Sequence, residues 1–167
     1  MKALIATAAA LFAAAPLAAA EPSPSPSPEQ SEVIAAVEAF FDALESPDKT
    51  ALATTMDPAG TIYIHDRMDP SAPEITVVPV AKHLENWAKS PPGLWERMVY
   101  RTVLVDGDMA QVWGPYRFVA GGRTTHCGID SLSLVRRAEG WKVANTSFSM
   151  VPPADCAKLG APEEPAR

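Results

Sequence analysis

The chain has 167 residues, with 14 basic and 20 acidic side chains and a formal net charge of −6. This composition excludes nucleic acid as the main partner, because phosphate binding needs clustered lysines and arginines, and the sequence contains no basic block. After the first 20 residues, no apolar run approaches the roughly 20 residues that a membrane span needs, so no span is expected once those residues are removed.

The first 20 residues have the pattern of a secretory signal peptide. Lys2 supplies the positive start, residues 3–15 are apolar, and Ala18 to Ala20 form an A-x-A cleavage site. We expect cleavage between Ala20 and Glu21, and export to the bacterial periplasm or the exterior. The alternative is an N-terminal membrane anchor, which the short apolar segment disfavours.

Proline-rich segments flank the predicted domain, which covers residues 29–151. Residues 21–28 alternate Pro and Ser, which favours an extended polyproline II linker. The alternative is a proline-rich ligand for another domain. Residues 152–167 are also rich in proline and are expected to form a C-terminal tail.

The domain is predicted to begin with a helix. Ser27-Pro28-Glu29-Gln30 has the pattern of a capping box. Apolar residues then recur at helical spacing between Val33 and Leu44, and Ser46-Pro47 ends the helix. A short second helix is expected near residues 48–56.

Two short strands and a third helix follow. Residues 61–67 alternate and predict a strand, and residues 74–78 predict its shorter partner. Pro79 opens a third helix with Val80, Leu84 and Trp87 on one face.

The second half of the domain predicts a meander of four long strands. Their ranges are 94–105, 109–120, 123–136 and 141–150, and the short connections between them are typical of antiparallel hairpins. The predicted fold is therefore α+β and cone-shaped, with three N-terminal helices on one face of a curved, mainly antiparallel sheet.

The apolar pattern of the second and third long strands requires a bulge. An unbroken hairpin would place Val112 and Leu132 on opposite faces, and one buried face cannot hold both. A bulge at Gly114–Pro115 removes the conflict, since proline donates no ladder bond and glycine tolerates the irregular backbone. In this register Asp130 lies beside Val112 and Ser147.

Three motifs stand out on the long strands. They are Val105-Asp-Gly-Asp-Met-Ala-Gln-Val-Trp113, His126-Cys-Gly-Ile-Asp130 and Gly140-Trp-Lys-Val143. With the order of elements, they resemble the nuclear transport factor 2-like superfamily. Within it they resemble the SnoaL-like proteins, and in particular an exported subgroup with a His-Cys-Gly-x-Asp strand. The resemblance implies a pocket between sheet and helices and frequent dimers through the open sheet face. It also implies functions that range from isomerases, cyclases and dehydratases to proteins without known chemistry.

Asp130 and His126 are the candidate catalytic residues, and both are candidate ligand-binding residues. Asp130 interrupts an apolar strand, so it can act as a general base or hold a ligand donor; the alternative is a structural carboxylate. His126 lies on the same face, about 13 Å along the strand, where it can titrate or bind. The alternative is a half-exposed strand histidine opposite Arg117.

Further candidates for ligand contact come from the aromatic residues and one glutamate. Glu96 is either a second carboxylate of the pocket or an exposed charge at a strand end. The aromatic candidates, which can equally be core or pocket wall, are Tyr63, Tyr100, Tyr116 and Trp87.

The sequence predicts no metal site and no cofactor. His65, His83 and His126 share no spacing typical of metal ligands. Motifs for a P-loop, a dinucleotide-binding turn and a serine nucleophile elbow are absent from the sequence.

A disulfide is expected between Cys127 and Cys156. Export makes oxidation available, and these are the two cysteines of the chain. The last strand runs back toward Cys127, so the tail leaves the sheet near that residue. The alternative is two unpaired thiols.

Three functions remain open at this stage. The first is a binding or accessory protein with a small, mostly apolar pocket for a small apolar ligand. The second is a cofactor-independent isomerase, cyclase or dehydratase that uses a pocket carboxylate or histidine. The third is a structural homodimerisation domain without a ligand. A cavity of at least about 300 Å³ with two convergent titratable groups favours the enzyme.

Overall fold

The computed structural model describes residues 25–165. The predicted signal peptide, its cleavage site between Ala20 and Glu21, and the first half of the predicted linker lie outside the described residues. Within the described range, no helix is long and apolar enough to cross a bilayer.

The elements follow one another in an α+β order, with most strands in the second half. In chain order they are α1 (Pro28–Glu45), a 3₁₀ turn (Ala51–Thr54), β1 (Thr61–Asp66), β2 (Glu74–Pro79), α2 (Val80–Trp87), β3 (Leu94–Met98), β4 (Thr102–Asp106), β5 (Met109–Ala120), β6 (Arg123–Arg137), β7 (Gly140–Met150), a second 3₁₀ turn (Pro153–Asp155) and α3 (Cys156–Leu159).

Helix α1 has the predicted cap and the predicted buried face. The Gln30 backbone N–H donates to Ser27 Oγ at 3.2 Å, and the Ser27 N–H donates to Gln30 Oε1 at 2.9 Å, which completes the capping box. Val37 and Phe41 of the apolar stripe are fully buried against the sheet.

The prediction of three N-terminal helices is wrong. Among residues 25–165, α1 alone precedes the sheet, α2 follows the first two strands, and α3 lies in the tail. The helix expected over 48–56 is a single 3₁₀ turn. The Asp48 carboxylate accepts bonds from the Thr50 backbone N–H at 3.0 Å and from its hydroxyl at 2.6 Å. Such local bonds compete with helix formation, and Met56 already pairs with β7.

The strands form one sheet in the order β2-β1-β7-β6-β5-β3, and β4 also pairs with β5. Neighbours are antiparallel except β1 and β7, which are parallel. We call the face that packs against α1 and α2 the inner face, and the opposite face the outer face. The main hydrophobic core lies on the inner face.

The first long strand predicted over 94–105 is broken at residues 99–101, between β3 and β4. The break lies beside Gly114 and Pro115 of β5. A side chain at Gly114 would overlap the Val99 carbonyl oxygen, so glycine allows the two backbones to approach closely. Proline has no N–H to donate to the ladder, which explains why the irregularity occurs here.

The bulge predicted at Gly114–Pro115 is wrong in its position. Pairing between β5 and β6 is regular there, and the register shifts between Phe118 and Val119, where Thr125 is the extra residue. One extra residue on either strand restores the alternation, so the apolar pattern cannot decide which strand carries it. Asp130 therefore pairs with Gly114.

The β6–β7 hairpin starts as predicted and then changes register. Leu134 pairs with Val143, but the register shifts between Ser133 and Leu134. Asp130 therefore lies beside Phe148, and the expected position beside Ser147 is wrong.

The predicted disulfide between Cys127 and Cys156 is present, with a Cα–Cα distance of 5.6 Å. It joins α3 to the outer face of β6. Arg117 Nε donates to the Pro162 carbonyl, and the Thr124 backbone N–H donates to the Glu164 carboxylate at 3.2 Å. The described part of the tail thus packs onto the sheet.

Candidate functional site

A cavity of about 210 Å³ lies between the inner face of the sheet and helices α1 and α2. Most of its lining is aliphatic or aromatic. The apolar lining comprises Phe40, Leu44, Met56, Ile62, Trp87, Tyr116, Phe118, Leu132, Phe148 and Met150. The polar lining comprises His83, Glu96, His126, Asp130 and Thr146. The polar groups are therefore few and face an apolar space.

Five of the seven ligand-binding candidates from the sequence line this cavity: Asp130, His126, Tyr116, Trp87 and Glu96. Tyr100 and Tyr63 do not. The Tyr100 hydroxyl donates to Glu38 of α1 at 2.6 Å, and burial with this bond raises its pKa. Tyr63 lies on the outer face and is 45% exposed.

Asp130 and Glu96 form a carboxyl pair at the cavity wall. Asp130 is 2% exposed, and its side chain shares a hydrogen bond with the Glu96 carboxyl group. Burial raises the pKa of both groups, and the Asp130 charge raises the pKa of Glu96 further. A bond between two carboxyl groups requires a proton on at least one of them, and both pKa values are raised, so the pair holds at least one proton at neutral pH. Glu96 is therefore not an exposed charge at a strand end.

Two buried polar atoms of residues that line the cavity, Trp87 Nε1 and Thr146 Oγ1, make no hydrogen bond within residues 25–165. No N–H or hydroxyl group there donates to Asp130 Oδ2, and the partner of the Asp130 carboxyl group is Glu96. Buried polar groups normally find partners. The three side chains that carry these atoms line the cavity.

Tyr116 is a fixed wall of the cavity. Its hydroxyl donates to the Ser149 carbonyl at 2.9 Å, and burial together with the nearby carboxyl pair raises its pKa. The phenol therefore stays neutral and is already bonded to the backbone.

His126 is held in place by aromatic contacts. Its ring stacks on Phe118 with centroids 5.0 Å apart, so the expected position opposite Arg117 is wrong. Nδ1 lies 3.0 Å from Thr125 Oγ1. Burial lowers the pKa of His126 to about 4, so the ring is neutral at pH 7.

Ten of the fifteen lining residues were not among the candidates from the sequence, and they include His83, Thr146, Phe148 and Phe118. His83 lies on the same helical face as Trp87, and their rings are 5.6 Å apart. This spacing of four residues was available in the sequence. Thr146 and Phe148 reach the cavity because of the register shift in the β6–β7 hairpin, and Phe118 because it precedes the bulge. No local sequence pattern indicates those shifts.

The described part of the chain offers no group of three His, Cys, Asp or Glu residues arranged to hold a metal ion. On the outer face, His65 Nε2 lies 3.0 Å from Ser147 Oγ. This pair is separated from the cavity by the thickness of the sheet.

Comparison with known proteins gives a fold and no closer relationship. No protein-family model and no curated protein matches the chain. An NTF2-like protein of unknown function from Shewanella baltica is similar in structure, with a TM-score of 0.55 and 13% identity over 74% of this chain and 94% of that chain. An NTF2-like superfamily protein from Salmonella enterica serovar Typhimurium has a TM-score of 0.56 and 15% identity over 73% and 90%.

The chain has the NTF2-like fold. A third similar structure, from Novosphingobium aromaticivorans, carries the provisional name of an aromatic ring hydroxylase; its TM-score is 0.57, with 13% identity over 78% of this chain and 94% of that chain. At these identities the similarity establishes the fold alone. The function of this NTF2-like domain must therefore be inferred from its own cavity.

Proposed function

We propose that this domain binds a small, mostly apolar molecule, about the size of one aromatic ring, in the inner-face cavity. The observation that carries the proposal is an apolar cavity whose lining includes the unpartnered polar groups of Trp87 and Thr146 and the carboxyl pair of Asp130. Leaving such groups unpaired in a dry interior costs about 1–3 kcal/mol each. A ligand with a donor and an acceptor removes this cost.

The volume sets the size of the ligand. Apolar cavities of about 150 Å³ accept benzene, so the 210 Å³ here accommodates a ring with one or two additional heavy atoms. Larger ligands do not fit without movement of the walls.

Binding of benzyl alcohol, with toluene as the apolar comparison, tests the proposal. We expect cross-peak shifts of the lining residues in heteronuclear NMR spectra, and at least tenfold tighter binding of the alcohol. Asp130→Asn should reduce this preference, whereas the exposed control Asp108→Asn should not. Native mass spectrometry of the protein purified from a bacterial periplasm should show a retained small molecule. Binding of neither compound would contradict the proposal.

A second candidate function, proton-transfer catalysis of the isomerase, cyclase or dehydratase type, is favoured by the carboxyl pair. A carboxylate beside a carboxylic acid can accept a proton at one atom and donate one at another. The cavity is smaller than the roughly 300 Å³ of typical ligand pockets, which limits any substrate to small molecules. Deuterium exchange at the α-carbons of cyclohexanone, lost in Asp130→Asn, would support this function.

We also propose a subgroup within the superfamily and a location in the cell. We infer a SnoaL-like exported protein in which the His126–Asp130 motif contributes His126 and Asp130 to the cavity and Cys127 to the disulfide. A disulfide is typical of oxidising compartments, which agrees with a periplasmic or secreted protein. Processing between Ala20 and Glu21 is testable by N-terminal sequencing of the exported chain.

We also propose that two copies associate through the outer face. Six of the seven exposed large apolar side chains lie on this face by strand alternation: Tyr63, Ile75, Val77, Leu104, Met109 and Trp113. They form two groups, one on β1 and β2 and one on β4 and β5, with β7 and β6 between them, and exposed apolar surface is typical of interaction sites. A dimerisation domain without a ligand is the remaining alternative, and failure of all small-molecule probes would favour it.

A further inference from the structure

The charged groups that line the cavity are acidic. Glu96 and Asp130 are in its wall, and no lysine or arginine of residues 25–165 is. The histidines of the lining do not compensate, because burial lowers the pKa of His83 and lowers that of His126 to about 4. Tyr116 stays neutral, since its pKa is raised.

The nearest cations are bound to other groups. Arg97, adjacent to Glu96 on β3, forms ion pairs with Glu38, Asp42 and Glu45 of α1. The positive charge of Arg97 therefore acts on Glu96 as well as on these three acidic side chains.

Lys49 approaches the cavity from the other side. Its Nζ donates to the Leu44 carbonyl at 2.7 Å and lies 5.6 Å from the Trp87 ring centre. This bond to the backbone keeps the ammonium group outside the cavity lining.

Aromatic rings line the same cavity as the acidic pair. Trp87, Tyr116, Phe118 and Phe148 all line the cavity. The faces of such rings attract cations, most strongly where water is excluded. An acid pair and aromatic rings together form a site that favours a cation over a neutral or negative ligand.

We propose that the ligand of this cavity is a small organic ammonium ion, a primary amine on a single ring or a short apolar chain, that donates to Asp130 Oδ2. This proposal rests on the proposed binding function and names the class of ligand. The ammonium ion enters with its three N–H donors, and the carboxyl pair, which is uncharged while both groups keep their protons, releases one proton to solvent. One carboxylate, one carboxylic acid and one cation remain, so the filled site has no net charge, and no covalent bond breaks apart from that O–H bond.

Isothermal titration calorimetry with benzylamine, benzyl alcohol and benzoate tests the charge preference at one size. At pH 7 we expect benzylamine to bind at least tenfold more tightly than benzyl alcohol, and benzoate not to bind. Titrations in phosphate and in Tris, which differ in ionisation enthalpy, should show release of about one proton per benzylamine bound.

Two variants and a control locate the effect. Asp130→Asn and Glu96→Gln should each weaken benzylamine binding tenfold or more, and by a larger factor than they weaken the binding of benzyl alcohol. Asp108→Asn, in the β4–β5 turn, should change neither. Thermal midpoints of all variants establish that they are folded, and two independent substitutions keep the test valid if one fails to fold.

The outcomes separate this inference from the proposed function. If benzyl alcohol or benzoate binds as tightly as benzylamine, the ammonium class is wrong and the small-molecule pocket remains. If none of the three probes binds, both are wrong.

Discussion

Glu96 of β3 and Asp130 of β6 share a proton across β5, the strand that separates them. The two residues are far apart in sequence, and they belong to the two strands that pair with β5 on either side. Burial raises the pKa of each group, so the folded protein retains a proton that the unfolded chain releases.

Asp130→Asn should change how stability depends on pH. A carboxyl group whose pKa is raised in the folded state stabilises the protein fully when the pH is below the pKa of the unfolded state, which is near 4. This stabilisation is lost as the pH rises through the pKa of the folded state. The asparagine amide can donate to an ionised Glu96 without a shared proton. We therefore expect the free energy of unfolding of the variant, relative to wild type, to increase between pH 5 and 8. The slope should be up to about 1.4 kcal/mol per pH unit.

Urea unfolding at four pH values measures this slope. The contributions of other carboxylates cancel in the difference between the free energies of unfolding of the variant and the wild type. One of them is Asp57, whose pKa is lowered by its bond to Arg137, so that its stabilising effect is lost as the pH falls. The control Asp108→Asn should give a difference that does not vary with pH. A constant difference for Asp130→Asn would show that the pair holds no shared proton.

Removing the disulfide should destabilise the domain. It closes a loop of 29 residues, and restriction of the unfolded chain over that length contributes roughly 3.5 kcal/mol. We expect the double variant Cys127→Ala, Cys156→Ala to lose about this free energy in urea unfolding. Thiol titration of the unreduced wild-type protein should find no reactive group; two reactive groups per chain would rule out the bridge.

Gly128→Ala should be strongly destabilising. A Cβ atom at this position would lie 1.7 Å from the Ser149 carbonyl oxygen, which also accepts the Tyr116 hydroxyl. Separation of the two strands is expected to cost about 1–3 kcal/mol. Arg123→Ala, at the exposed start of the same strand, should stay within about 0.5 kcal/mol of wild type. Equal stability of the two variants would mean that the close strand approach is not required.

Trp113→Lys should reduce self-association. Trp113 is 48% exposed on the outer face, among the apolar side chains proposed to contact a second copy. A buried ammonium group without a partner should raise the dimer dissociation constant tenfold or more. Sedimentation equilibrium measures this, with Met68→Lys, in the loop after β1, as the control. A wild-type protein that is monomeric at micromolar concentrations would contradict the proposed dimer.

The features predicted correctly from the sequence depend on residues that are close together in the chain or on the number of cysteines. The capping box of Ser27 and Gln30 is a four-residue pattern, and pairing of two cysteines leaves one choice. The phase conflict between Val112 and Leu132 correctly required a bulge in their hairpin, because alternation is a local property of each strand.

The features that were not predicted depend on the positions of the register shifts and on the order of the strands in the sheet. The alternation of apolar residues shows that one strand of the hairpin has an extra residue, but it does not show which strand. The position of the extra residue, Thr125 on β6, was therefore not predicted. For the same reason the neighbour of Asp130 on β7 was wrong. The role of Glu96 depends on which strands lie on either side of β5, and no local stretch of sequence contains that information.

The single extra residue Thr125 changes which residues of β6 lie on each face of the sheet. Thr124 and His126 are both even-numbered, yet Thr124 bonds the C-terminal tail on one side of the sheet and His126 lines the cavity on the other. In any redesign of β6, changes of length on the hairpin side of Thr125 must therefore come in pairs. A single inserted or deleted residue there would exchange the tail contact and the cavity wall.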